Sequence, residues 1–294
     1  MKKVFKVLKK RLFLLNFAGY KTTKALKLKL SLVSVLITLA LFPLSCKKDS
    51  DDSVTPQGCY LAGFQSTGTG SRSFAYNEKG LVKTFNLAKD GYNTKFDLTY
   101  DDKNLLVSSI CTIGGELAFK EKYAYENGRI STVTMVDPKN DIGVWGTHRI
   151  KYDQEGRIIE YTNEFGDAPT DSKHIFEYNA QGVQTKYEVV LLKGDLKYRQ
   201  IIKPVGTPAK SAENYLTEHG VPYELPLGYA FPKADPGIGS TMELYATDLE
   251  GKIVLVNTYT LKTQKVNAKG YVEQSLWSTA KGEILNNYSF QGCN

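Results

Sequence analysis

The sequence predicts an all-β protein whose repeated antiparallel hairpins form a closed or strongly curved, barrel-like sheet. Three observations lead to this prediction: a phrase centred on a tyrosine recurs, a turn residue follows each copy, and one proline-rich segment interrupts the rhythm. The clearest copies place their tyrosines at Tyr76, Tyr100, Tyr125, Tyr152 and Tyr178, a period of 24 to 27 residues. Two strands of about eight to ten residues and two short turns fill such a period, so each copy predicts one hairpin.

Each copy has the local pattern of a strand that runs into a tight turn. Two apolar side chains stand two positions apart before the turn, as Ile150 and Tyr152 do, and therefore share one face of a strand. The turn needs a residue with positive φ, which Gly accepts freely and Asn tolerates. The residues in this position are Gly80, Asn104, Gly128, Gly156 and Gly182. Weaker echoes of the phrase follow at 248–253, 267–272 and 280–285.

The number of hairpins predicts that the sheet closes. Residues 58–294 form one predicted domain with on the order of 12 to 16 strands. An open sheet of that size tends to curl or close, and closure removes exposed strand edges. Charged residues alternate with the aromatic ones, as in Lys120–Tyr123, so the outward face lacks the apolar band of a membrane barrel. We therefore predict a barrel that lies outside the bilayer.

One insertion, 203–240, breaks the rhythm and holds six of the ten prolines. Within it, Thr207 and Pro208 precede 209–219, and Gly220 follows, which predicts a short helix with N-cap, N1 and C′ residues in place. Long insertions on a rigid scaffold often carry binding sites, and exposed aromatic rings stack on sugars. The candidate ligand-binding aromatics are Trp145, Tyr223, Tyr229 and Phe231. The alternative is that the insertion is a structural cap over an open barrel end.

The first 45 residues have the composition of an export signal. They hold ten basic residues and no acidic one, and 30–45 is an uncharged, apolar stretch of sixteen residues. A basic region followed by an apolar run of this length predicts a signal peptide over 1–45. Its removal changes the net charge from +7 to −3, because 28 basic and 31 acidic residues remain. The basic balance belongs to the signal and gives no support for nucleic-acid binding.

The end of the apolar run, Ser45-Cys46, resembles a bacterial lipobox. This resemblance implies that Cys46 is lipidated and anchors the mature chain to membrane lipid, whereas ordinary signal cleavage would leave Cys46 a plain thiol. The polar stretch 46–57 predicts a disordered tether. Its acidic residues Asp49, Asp51 and Asp52 resemble the surface-export signal of Bacteroidota lipoproteins. The implied location is the outer membrane, on its periplasmic or cell-surface side.

Three further cysteines and the three histidines, His148, His174 and His219, are the remaining candidates for chemistry. Cys59 opens the domain and Cys293 ends it, so we hypothesise a disulfide that joins the first strand to the last. Cys111 lies in a predicted strand and is expected to be buried. His148 and His174 precede repeat tyrosines and are expected on the strand surface. Because no catalytic motif or metal-ligand spacing is present, we predict no enzyme activity, no catalytic or metal-binding residues and no cofactor.

The phrase Tyr152-Asp153-x-x-Gly156-Arg157-Ile158 resembles the YD repeat of bacterial Rhs-type shells. Together with the lipoprotein signal and the size of the domain, it makes the chain similar to a Bacteroidota lipoprotein family of unknown function with a porin-like β fold. The resemblance covers most of residues 59–294. It implies a fold and a location, and it assigns no catalytic residues.

These observations favour an envelope-anchored, non-enzymatic binding or adhesion module whose ligand is a glycan or a protein. One alternative is a structural envelope component without a small-molecule ligand, in which the tyrosines are simply core residues. A second alternative is an envelope hydrolase, for which no carboxylate pair or metal site stands out.

Overall fold

The computed structural model of the chain describes residues 58–293, except 69, 90, 140, 142, 167–170, 193, 212–214 and 217–233. Sixteen antiparallel strands close into a barrel in which the first strand pairs with the last. This confirms the all-β fold and the closure that the hairpin repeats predict. The signal peptide 1–45 and the tether 46–57, including Cys46, lie outside the described residues. Within the described ranges, no helix is long and apolar enough to cross a membrane.

Eighteen strands are found in the described ranges, and sixteen of them form the barrel. The first nine are β1 (Tyr60–Ser66), β2 (Gly70–Tyr76), β3 (Val82–Lys89), β4 (Tyr92–Tyr100), β5 (Leu106–Ile113), β6 (Glu116–Glu126), β7 (Arg129–Val136), β8 (Val144–Tyr152) and β9 (Ile158–Glu164). The others are β10 (Ser172–Tyr178), β11 (Gln184–Leu191), β12 (Leu196–Lys203), β13 (Ala209–Lys210), β14 (Ala234–Asp235), β15 (Thr241–Thr247), β16 (Ile253–Val266), β17 (Val272–Thr279) and β18 (Gly282–Gln291). Strand β12 pairs with β15 because β13 and β14 form a separate two-stranded sheet.

The repeated phrase has the same register in all five copies. The tyrosine at or next to the end of one strand pairs with the residue two places past the turn glycine or asparagine. The pairs are Tyr76 with Val82, Tyr100 with Leu106, Tyr125 with Ile130, Tyr152 with Ile158, and Tyr178 with Gln184. The fifth copy therefore keeps the register although its partner is a glutamine. We call the end of the barrel that carries these turns the turn end.

The Asp or Asn after the tyrosine folds the turn. Asp101 Oδ1 accepts the backbone N–H groups of Lys103 and Leu105 at 3.0 and 2.8 Å. Such side-chain bonds to the backbone two and four residues on stabilise a turn locally. The same two bonds form at Asn77, Asn179, Asp248 and Asn267. The weaker echoes at 248–253 and 267–272 therefore form the same type of turn as the clear copies of the phrase.

The repeat tyrosines also connect neighbouring hairpins, and we call this row of five residues the tyrosine ladder. The hydroxyls of Tyr100, Tyr125, Tyr152 and Tyr178 donate to the backbone carbonyls of Val82, Leu106, Ile130 and Ile158 at 2.7, 3.0, 2.9 and 2.9 Å. Tyr76 begins the row by donating to the carbonyl of Leu61 in β1. Each accepting carbonyl belongs to the preceding strand, so every bond points the same way around the barrel.

The barrel interior is packed with aromatic and aliphatic side chains. Every strand from β1 to β11 contributes a buried residue to one continuous core. Phe85 stacks on Phe96 with ring centroids 4.5 Å apart, and Phe176 stacks on Tyr187 at 4.9 Å. Because side chains alternate across a strand, these residues and the tyrosine ladder share the inward face.

The outward face carries ion pairs that run from strand to strand. Glu160 on β9 lies between Lys151 on β8 and Lys173 on β10, at 2.8 and 3.2 Å. Lys186 on β11 contacts Glu177 and Glu188 at 2.9 and 3.2 Å. The predicted alternation of aromatic and charged residues is therefore the alternation between the inside and the outside of the barrel.

The start of the insertion differs from the predicted helix. Residues Ala209–Lys210 form β13 and pair with β14, so the first two residues predicted as helical are a strand. The reason is tertiary: Lys210 N–H bonds the Gly270 carbonyl at 3.1 Å, and a strand bridge joins Lys210 to Tyr271. Tyr215 and Leu216 have helical backbone and are buried in the barrel core. Residues 212–214 and 217–219 of the prediction lie outside the described residues, so the helix is not confirmed.

The two ends of the domain meet where the barrel closes. A disulfide joins Cys59 before β1 to Cys293 after β18, with Cα atoms 4.1 Å apart. Gly292 has φ +67°, and a Cβ at this position would lie 2.2 Å from the carbonyl oxygen of Gly58. Only glycine allows this approach of the two backbones. Cys111 is a buried free thiol in β5, as expected.

Candidate functional site

A row of polar side chains crosses the inner wall of the barrel from β5 to β11. This interior polar cluster consists of Ser109, Glu121, Tyr123, His148, Asn163, Ser172, His174 and Tyr187, and all of them except Asn163 are buried. Three of its members stand four residues before a ladder tyrosine: Glu121, His148 and His174. An even spacing in a strand places two residues on the same face, so these side chains point inward with the tyrosines.

The first half of the cluster surrounds one carboxyl group. Glu121 Oε2 accepts hydrogen bonds from Ser109 Oγ and from Tyr123 Oη, both at 2.6 Å. Tyr123 Oη also lies 3.0 Å from Ser109 Oγ. Burial and the neighbouring Glu121 raise the pKa of Tyr123 well above its usual value. The phenol therefore stays protonated and donates to the carboxyl group.

The second half is a chain of bonds through two histidines. His148 Nδ1–H donates to Asn163 Oδ1, and Asn163 Nδ2 donates to His174 Nε2 at 3.1 Å. His174 Nδ1–H then donates to Tyr187 Oη at 2.8 Å. These partners assign the Nδ1–H tautomer to both rings. Because an amide side chain stands between the two histidines, the chain orients the rings and does not carry a proton from one to the other.

The cluster also holds a serine next to a histidine, the pair that a hydrolase would need. Ser172 Oγ lies 3.2 Å from His174 Nε2. Burial, with smaller contributions from His148 and Lys197, lowers the pKa of His174 to about 3. So weak a base is poorly matched to proton abstraction at neutral pH, and Tyr187 occupies the place of an orienting carboxylate. The Ser172–His174 pair is therefore a packing contact, and it lacks the strong base and the orienting carboxylate of a catalytic pair.

The stability of the barrel is expected to fall in acid because of these histidines. Burial lowers the pKa of both His148 and His174 in the folded state, whereas the unfolded chain takes up protons below pH 6.5. For His174 the free energy of unfolding therefore drops as pH falls from about 6.5 toward 3, by up to about 1.4 kcal/mol per pH unit, and His148 contributes in the same direction. Urea unfolding at pH 7, 5 and 4 measures this slope.

His174→Phe is expected to flatten that pH slope, because it removes one of the two buried titrating groups. The variant also loses the bonds to Asn163 and Tyr187, so its stability at pH 7 is lower. Tyr92→Ala, at an exposed position, serves as the control and keeps the wild-type slope. An unchanged slope in His174→Phe would contradict the assignment of a buried neutral ring.

Of the four aromatic residues proposed from the sequence as ligand-binding, Trp145 alone lies in the described ranges. Trp145 lies in β8, where it is half-buried and packs against the core. Tyr223, Tyr229 and Phe231 lie outside the described residues. In the part of the chain that the structure describes, no group of three or more His, Cys, Asp or Glu side chains is placed to hold a metal ion.

The expectation that His148 and His174 lie on the strand surface is wrong. Both are 8% exposed and lie inside the barrel. The spacing in the sequence indicated the inward position, because each histidine stands an even number of residues before a tyrosine that points inward. Their polarity argued for the surface, and Asn163 is the partner that makes their burial possible.

No protein-family model matches the chain, and no curated protein matches it. Among solved structures, it is similar to a porin-like protein from Bacteroides uniformis at 12% identity and a TM-score of 0.42, covering 79% of this chain and 98% of that one. A porin-like protein from Bacteroides vulgatus shows 8% identity and a TM-score of 0.34, over 78% and 98% of the two chains. TcdB2-TccC3-TEV shows 9% identity and a TM-score of 0.28, over 74% of this chain and 12% of that one.

Proposed function

We propose that this protein is a non-enzymatic binding module, anchored to the outer membrane through lipid on Cys46, and that its ligand is a glycan or a protein. One observation carries the proposal: the interior polar groups are bonded to one another and lie among the buried aromatic and aliphatic side chains of the core. A barrel with such an interior acts through its outer surfaces and its insertion. A periplasmic or cell-surface position makes those parts available to a ligand.

The outer wall supports a barrel that stands outside the bilayer. Strands of a membrane barrel present an apolar band to lipid, and charged residues there are destabilising. The ion pairs around Glu160 and Lys186 lie on β9, β10 and β11 on the outward face. The proposed anchor is therefore the lipid on Cys46, with 46–57 as the tether.

The insertion is held at both ends by the turn end of the barrel. Tyr215 lies 6.4 Å from Tyr76, 6.0 Å from Tyr271 and 6.0 Å from Phe290, measured between ring centroids. On the other side, Ala234 in β14 forms a strand bridge with Val183. The described residues on either side of 217–233 therefore contact the barrel, and segments inserted into a rigid scaffold often carry binding sites.

A binding screen tests this proposal. The purified chain is heated in the presence of oligosaccharides and of peptides, and a ligand at 100 times its Kd is expected to add about 2.7 kcal/mol to the free energy of unfolding. The shift should disappear in Tyr223→Ala and Tyr229→Ala and persist in the control Tyr92→Ala, an exposed tyrosine at the opposite end of the barrel. A library without any stabilising ligand would favour the structural envelope component instead.

A further inference from the structure

The longest strand of the barrel has an open edge. Strand β16 pairs with β15 over 253–260, but its pairing with β17 begins only at Thr260. Among the described residues, 253–259 therefore have a neighbouring strand on one side and none on the other. Backbone N–H and C=O groups along such an edge form a template for another strand.

The same segment is apolar and exposed on both faces. Ile253, Val254, Leu255 and Val256 are 47%, 39%, 54% and 46% exposed. In β4, β6 and β8, by contrast, alternate residues are buried against the core. Four consecutive exposed aliphatic residues on an open edge are a liability that folded proteins cover or blunt.

Lipid is a poor match for this surface. The tip of the β15–β16 hairpin carries Asp248, Glu250 and Lys252, and the last two form an ion pair in which both side chains are 74% exposed. A charged tip opposes insertion, and unpaired backbone groups cannot be satisfied in hydrocarbon. The edge requires an extended strand as its partner.

We propose that this edge pairs with the same edge of a second copy of the chain, forming a two-fold symmetric dimer through β16. A two-fold axis perpendicular to the sheet makes the two strands antiparallel and keeps their faces matched. Centred on Val254, the pairing sets Val254 against Val254 and Ile253 against Leu255. No charged residue faces a like charge in this register, and opposing β-branched and aliphatic side chains stabilise a sheet.

The surroundings of the edge support a second copy. The open edge ends at the β17–β18 turn, which carries Lys281, while the hairpin tip carries Asp248, Glu250 and Lys252, two acidic residues against one basic. In the two-fold arrangement each acidic tip approaches the other copy's Lys281 turn. The contact covers one strand edge on each side, so it is smaller than a standard interface and forms a weak, reversible dimer. It involves neither the insertion nor the proposed ligand, so it stands apart from the binding function.

Cysteine cross-linking of the full chain in membranes tests the dimer. Opposed residues of an antiparallel pair have Cα atoms about 4.5 to 5.5 Å apart, within the range of a disulfide. Val254→Cys is therefore expected to give an interchain disulfide dimer on mild oxidation. The matched control is Leu249→Cys, which is fully exposed at the hairpin tip and lies away from the axis. Equal dimer in both variants would show random collision and overturn the proposal.

A charge variant gives a second, independent readout. Val254→Lys places two ammonium groups opposite each other and is expected to weaken the dimer at least about tenfold in sedimentation equilibrium. Leu117→Lys, at a comparably exposed apolar position on β6, should leave the association unchanged. A chain that stays monomeric at every concentration overturns the proposal. So does a cross-link from Val254→Cys to a different protein, which would assign the edge to a foreign strand.

Discussion

Loss of the Cys59–Cys293 disulfide is expected to produce the largest fall in stability of any change outside the core. The bond closes a loop with a sequence separation of 234 residues. In the chain-entropy account a loop of 100 residues already corresponds to about 4.7 kcal/mol, so Cys59→Ser with Cys293→Ser is expected to lose about 5 kcal/mol. Thermal unfolding of the double variant beside the oxidised chain measures the difference.

The control for this experiment is a reductant. Reduction should destabilise the oxidised wild-type chain and leave the double variant unaffected, because Cys111 is a buried thiol in both. Burial and the neighbouring Glu121 raise the pKa of Cys111, which keeps it unreactive. Equal melting temperatures for the oxidised chain and the double variant would contradict the stabilising role of the bond.

Truncation of the first ladder tyrosine is the second change with a large expected effect. Tyr76 is 1% exposed, donates to the Leu61 carbonyl and packs against Tyr60 and Tyr215. Tyr76→Ala leaves a cavity and is expected to cost about 3 to 5 kcal/mol. Tyr76→Phe keeps the ring and loses only the hydrogen bond, which leaves a buried carbonyl unsatisfied, at about 1 to 3 kcal/mol.

Comparison of these two variants separates packing from hydrogen bonding in the ladder. Urea unfolding of both, with Tyr92→Ala as an exposed control expected within about 0.5 kcal/mol of wild type, provides the measurement. If Tyr76→Phe were as destabilising as Tyr76→Ala, the hydroxyl and not the ring would be the main contribution.

The repeat made much of the fold predictable. Tyr152, Asp153 and Gly156 determine a strand end, a turn and the following register from local chemistry alone, and the structure repeats that unit around the wall. The insertion was not predictable in the same way, because Lys210 becomes a strand residue through its bond to Gly270, 60 positions along the chain. Local capping signals at Thr207 and Pro208 carry no information about such a partner.

The interior polar cluster was only partly predictable. The inward face of Glu121, His148 and His174 follows from their even spacing to the tyrosines. Their mutual bonding does not, because Asn163 and Tyr187 lie on strands whose register depends on the turns between them. The open edge of β16 likewise depends on the unequal lengths of β16 and β17, which the turn signals at 267–270 and 279–282 do not reveal.

The position of the closing seam determines when this barrel can close. The pairing of β1 with β18 joins the first and last strands of the domain, so the wall stays open until the final residues are available. Contacts of this sequence separation slow folding because the whole intervening chain must be ordered first. Formation of the Cys59–Cys293 disulfide therefore reports closure of the barrel, and its appearance in a pulse-labelled chain measures the time that closure takes.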